Sequence, residues 1–88
     1  MKVTCNQDTM SMEVHIKEKE MIFCERNMDF DKKMDNMKSY GWNCYFPWGV
    51  EVIVCYGFVV LKERVRSKLL SSGYDYDEQT EYFTKRDK

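Results

Sequence analysis

MSMEVHIKEKEMIFCE, residues 10–25, decides how the fold begins. Its first eight residues alternate without a break: Met10, Met12, Val14 and Ile16 fall on one side of an extended chain, Ser11, Glu13, His15 and Lys17 on the other. A period of two marks a strand with one buried face. Residues 20–25 (EMIFCE) read as a second apolar run, and a tight turn at Glu18 and Lys19 sets Ile16 opposite Met21 and Val14 opposite Phe23. Residues 2–5, followed by the turn formers Asn6, Gln7, Asp8 and Thr9, add a strand in front. One face of this antiparallel meander is expected to gather Val3, Cys5, Met10, Met12, Val14, Ile16, Met21 and Phe23 as a core.

Working outward, Asn27 or Asp29 can cap a helix running to about Ser39, with Phe30, Met34 and Met37 on one stripe and Gly41 to end it. Residues 42–46 and 50–56 read as a hairpin about Pro47, Trp48 and Gly49. A second helix is expected over residues 59–72, with Leu61, Val65 and Leu69 recurring at every fourth position and Gly73 as its stop. The expected fold class is therefore α+β: a small antiparallel β-sheet, made of an N-terminal three-strand meander and a second hairpin, packed by two α-helices. It forms a single domain over residues 1–88. Residues 74–88 mix aromatics and acids, and their pattern leaves helix, strand and flexible tail open.

Composition limits the function classes. At 88 residues there is room for one core, and 43% hydrophobic with 33% charged residues is globular rather than disordered. The chain has no alanine and three leucines against seven methionines, eight valines and 15% aromatics, so large, adaptable side chains must fill the interior. Ten lysines against four arginines, with one proline, fit an AT-rich genome, and a small viral or phage protein is the expected source. The net charge of −1 provides no overall field to draw the chain onto nucleic acid or an acidic membrane.

The N-terminal residues lack the apolar stretch of a secretory signal, so a cytoplasmic location is expected, the host cytoplasm for a viral chain. Cysteines 5, 24, 44 and 55 then read as small reduced hydrophobes. Their closest spacing of eleven is too wide for a zinc pair, and neither metal nor cofactor is expected. Residues 44–61 (CYFPWGVEVIVCYGFVVL) approach the length of a membrane span, but Pro47, Gly49, Gly57 and Glu51 interrupt them and β-branched residues dominate. Two buried strands joined by a turn are expected there, with no membrane association.

Catalytic equipment is sparse. The four glycines are scattered at expected breaks and form no phosphate loop. His15 is the only histidine, so a Cys-His nucleophile would have to pair it with Cys24, diagonally across the expected register. The acidic pairs Asp29/Asp31 and Asp75/Asp77 sit where helices could start, and there they more often complement the helix dipole than ligate an ion. The chain is expected not to be an enzyme.

Residues 56–61 (YGFVVL) resemble the middle of the RNP1 signature of RNA-recognition motifs, and Ile22, Phe23 and Cys24 resemble its RNP2 strand, although Val54 and Cys55 replace the signature's opening basic-glycine pair. The resemblance implies that Tyr56 or Phe58 stacks a base on a strand while Phe23 acts as the second aromatic. Lys62, Arg64, Arg66 and Lys68 form the one local run of positive charge and could meet the phosphates. Single-stranded nucleic-acid binding is accordingly the second reading, and a Cys24–His15 enzyme the third.

The first reading is a small protein-binding module, an inhibitor of a host factor if the chain is viral, with a host or cellular protein as partner. Tyr40, Trp42, Tyr45 and Trp48 crowd one predicted hairpin, and large aromatics are what interfaces use. Tyr45 and Trp48, with Tyr74, Asp75, Tyr76 and Asp77 of the acidic and aromatic segment, are the candidate protein-binding residues. A homodimer through a sheet edge is a further expectation.

Overall fold

The computed structural model describes residues 3–16, 20–34 and 37–86, with backbone alone for 32–34 and 37–38. Five antiparallel strands follow one another as a meander: β1 (Val3–Asn6), β2 (Ser11–His15), β3 (Met21–Met34), β4 (Met37–Phe46) and β5 (Gly49–Cys55). The chain then reverses through Tyr56 and Gly57 into α1 (Phe58–Ser71) and ends in a separate hairpin, β6 (Tyr74–Asp77) and β7 (Tyr82–Lys85). Gly57 has φ 146°, a region closed to most side chains, and this permits the abrupt exit from the strand.

This is a mostly β protein. The expected two-helix α+β fold is corrected: one helix is present among the described residues, and residues 27–34 and 37–39 extend strands β3 and β4 instead. Phe30, Met34 and Met37 make only a thin helical stripe, and the Asp and Asn residues around them are poor helix formers. Backbone pairing with β4 on both sides of residues 28–31 outweighs that weak local preference.

The long pairing is not regular. Asn27 faces Gly41 and Lys32 faces Ser39, so five steps along β3 match two along β4 and the excess is looped out as a bulge. Arg26 holds the bulge by donating from Nε and Nη2 to Asp31 Oδ2 (2.9 and 2.5 Å), its guanidinium 4.4 Å from the centre of the Tyr40 ring. Gly41 was expected to stop a helix. Its actual role is spatial: Phe30 lies so close over it that any Cβ would collide with the Phe30 side chain.

The meander also pairs one residue out of the expected register. His15 faces Met21, Val14 faces Ile22 and Met12 faces Cys24. A one-residue slip exchanges the faces of a strand. Ile22 and Cys24 are consequently buried, while Met21 is 48% exposed and Phe23 half-buried. Met21, Ile22, Phe23 and Cys24 are all apolar, so the sequence carries no alternation there to choose the face. The tight turn expected at Glu18 and Lys19 lies outside the described residues.

The buried face collects Met12, Val14, Ile22, Cys24, Trp42, Cys44, Phe46, Ile53 and Cys55, each worth up to about 1.5–3 kcal/mol of burial for its larger members. Leu61, Val65 and Leu69 of α1 close over it, at the spacing read from the sequence, together with Tyr74 and Phe83 of the final hairpin. The reduced state expected for all four cysteines is corrected too: Cys24 and Cys44 face each other across β3 and β4 and form a disulfide. Cys5 is a free, exposed thiol and Cys55 a free, buried one.

No helix of the described structure is long and apolar enough to cross a membrane. The apolar residues 44–61 are divided among the end of β4, the Pro47–Trp48 turn, β5 and the first turn of α1.

Candidate functional site

Because α1 and the final hairpin cover one face of the sheet, the other face is left open. Strand alternation places His15, Met21, Phe23, Glu25, Asn43, Tyr45, Val50, Val52 and Val54 on it. The rows across the sheet run Glu13–Phe23–Tyr45–Val50 and Ser11–Glu25–Asn43–Val52. Phe23 and Tyr45 stack with ring centres 6.2 Å apart, and the Tyr45 hydroxyl donates to Glu25 Oε1 at 2.9 Å. That bond, followed by the charge of Glu25, raises the Tyr45 phenol above its ordinary value.

Apart from Asn43, the half of this face nearest β5 is apolar. Val50 is 65% exposed, and Met21, Tyr45, Val52 and Val54 lie between 39% and 48%. A solvated antiparallel face normally alternates to polar side chains. Here the polar rim is acidic, with Glu13 and Glu25 on the β2 and β3 side. The sequence conceals this surface, because residues 50–55 read as a continuous buried run and Met21 and Phe23 read as core. The one break in that run, Glu51, misleads, because it belongs to the covered face, where Lys68 of α1 pairs with it.

The remaining candidates are dispersed. Trp48, 48% exposed in the β4–β5 turn, lies over Phe46 and Tyr74 with ring centres 5.0 and 5.8 Å away, so it covers the end of the core. Tyr74 is 4% exposed beneath it. Asp75 accepts from Arg86 Nε (3.0 Å), Asp77 Oδ1 accepts from the Gln79 amide (2.9 Å), and Tyr76 rests half-buried on Phe83. Tyr45 alone of the six protein-binding candidates lies on the open face.

Comparison with known protein families, curated proteins and solved structures finds no match.

The residues of the nucleic-acid reading separate as well. Tyr56 lies in a bend and Phe58 starts α1, its ring 4.9 Å from Trp42, so neither stands on a strand as the RNP1 resemblance implies. The four basic residues of α1 are two apart, about 200° around the helix, and so alternate between its flanks. Lys68 reaches Glu51 at 3.2 Å and Arg64 flanks β5, whereas Arg66 lies 5.6 Å from the Tyr76 ring on the other side. Lys62 shares the Arg66 flank by spacing.

The Cys24–His15 pairing is corrected: Cys24 is consumed in the disulfide on the buried face, and His15 belongs to the open one. Asp31 is committed to Arg26, and among the described residues no three His, Cys, Asp or Glu side chains converge to hold a metal ion.

Proposed function

We propose that this chain is a protein-binding module whose docking surface is the open face of the five-stranded sheet. The carrying observation is the contiguous apolar surface of Met21, Phe23, Tyr45, Val50, Val52 and Val54, with the acidic Glu13 and Glu25 at its border. A surface of this kind favours a partner with a complementary apolar patch flanked by lysine or arginine: burial drives association and the carboxylates orient it. The stacked Phe23–Tyr45 pair, pinned by Glu25, is the rigid aromatic anchor such an interface uses.

The test is retention of a stoichiometric partner by the immobilised chain, compared across variants. Val50→Lys and Phe23→Lys are expected to abolish retention, while Arg66→Ala on the far side leaves it intact. Retention unaffected by both face substitutions would overturn the reading. So would salt-sensitive binding of a single-stranded oligonucleotide that disappears with Arg64→Ala or Arg66→Ala.

A further inference from the structure

The backbone hydrogen bonds determine what the edge of β5 offers. Arg26 N–H donates to Met10 O (3.2 Å) and Ile16 N–H to Glu20 O (3.0 Å), so the even-numbered residues of β3 turn their backbone groups toward β2. Cys24 and Cys44 are then a non-hydrogen-bonded pair, in keeping with a Cα separation of 4.1 Å. Cys44 bonds instead across to Glu51, and alternation directs the N–H and C=O groups of Val50, Val52 and Val54 away from β4.

That direction is the sheet edge, since β5 is the last strand of the order. Natural edges are blunted by shortness, bulges, proline or outward charge. The opposite edge, β1, has four residues; β5 has seven, and valine at all three outward-bonding positions.

The helix beside this edge is complementary to itself. Val60, Glu63, Arg64, Ser67, Lys68 and Ser71 line a groove of about 700 Å³ along β5. Turned antiparallel against a second copy about a point midway between residues 65 and 66, this flank sets Val60 opposite Ser71, Glu63 opposite Lys68 and Arg64 opposite Ser67. That makes two opposite-charge pairs in direct register, Glu63 with Lys68 of the other copy and the reverse.

Strand β5 turned about Val52 sets Val50 opposite Val54. The two centres lie close together. The Lys68 Nζ–Glu51 Oε2 contact of 3.2 Å, with residues 51–54 and helix residues 60–71 lining one groove, sets helix residue 68 near strand residue 51. One strand step of about 3.3 Å spans about 2.2 helix residues at 1.5 Å each, so Val52 lies level with residue ~66 of α1.

We infer that the protein forms a homodimer in which two β5 strands pair antiparallel about Val52 and two α1 helices meet across the same two-fold axis. A single axis satisfies both layers, as a closed isologous interface requires. The inference goes beyond the docking surface and does not depend on it, and its result is a ten-stranded sheet that joins two open faces into one platform.

Sedimentation equilibrium of the full chain tests it. The expected mass is twice the chain's 10.7 kDa. Val52→Pro removes one outward N–H while sparing the β4 ladder and is expected to give a monomer with an unchanged circular dichroism spectrum. Glu63→Lys sets a lysine opposite Lys68 of the other copy and is expected to raise the dimer dissociation constant at least about tenfold. Glu63 lies off the open face, so this variant keeps any partner bound there and separates the two proposals. A monomer at the highest concentration, a dimer indifferent to both variants, a dimer lost only with Phe23→Lys, or open-ended assembly would each overturn the inference.

Discussion

Cys24 and Cys44 stand directly opposite each other on β3 and β4, their Cα atoms 4.1 Å apart and their side chains without exposed surface. Their disulfide staples the central strand β3 to β4 and closes a loop with a sequence separation of 20. A loop of that length lowers the entropy of the unfolded chain enough to contribute about 3 kcal/mol. The double variant Cys24→Ala/Cys44→Ala is expected to lose about that much stability in urea unfolding. A loss below about 1 kcal/mol would mean that the staple does little to constrain the unfolded state.

The free thiols should react at different rates. Cys5 is exposed, whereas Cys55 is 2% exposed and burial raises its thiol above the ordinary value, against a smaller lowering by its bond to the Gly57 carbonyl and by Arg64. A higher value leaves less thiolate at neutral pH. Iodoacetamide followed by peptide mass spectrometry is expected to label Cys5 first and Cys55 only slowly. Equal rates would contradict the packing of α1 over β5.

Gly41→Ala probes the bulge. The new methyl would meet the Phe30 side chain, with the Phe30 Cα only 3.3 Å away, so the β3 backbone must move. The expected cost is about 1–3 kcal/mol in thermal or urea unfolding. Phe30→Gly in the same chain should recover part of it by removing the nearest atoms. A neutral Gly41→Ala would show that the looped segment yields freely.

Tyr45 supplies a pH signature. Its hydrogen bond to Glu25 needs the protonated phenol, and its folded value is raised. The contribution of that bond is therefore complete below the unfolded tyrosine value and is lost as pH rises through the folded one, above about pH 10. Spectrophotometric titration of the wild type against Tyr45→Phe is expected to subtract a component ionising later than a free tyrosine. Glu25→Gln should bring that component earlier.

Some of this protein was legible residue by residue. The alternation of Met12, Val14 and Ile16, the spacing of Leu61, Val65 and Leu69, and the turn at Pro47 and Trp48 are local periodicities, and each reappears in the fold. Period alone selects the buried face of β2 and α1, because one choice hides apolar surface and the other exposes it.

Where apolar residues run together, as at 21–24 and 50–55, either face could be buried, and the sequence was silent on register, on the Cys24–Cys44 pairing and on the open face. Residues 27–34 read as a helix for a related reason: their helical and extended preferences nearly balance, and pairing with β4 on both sides of the bulge tips them to a strand instead. The sequence by itself determined the amphipathic segments of β2 and α1 and the turns before β2, at Pro47–Trp48 and at Gly73. Only the tertiary structure decided which strand lies opposite which, because that choice depends on backbone hydrogen bonds and covering elements distant along the chain.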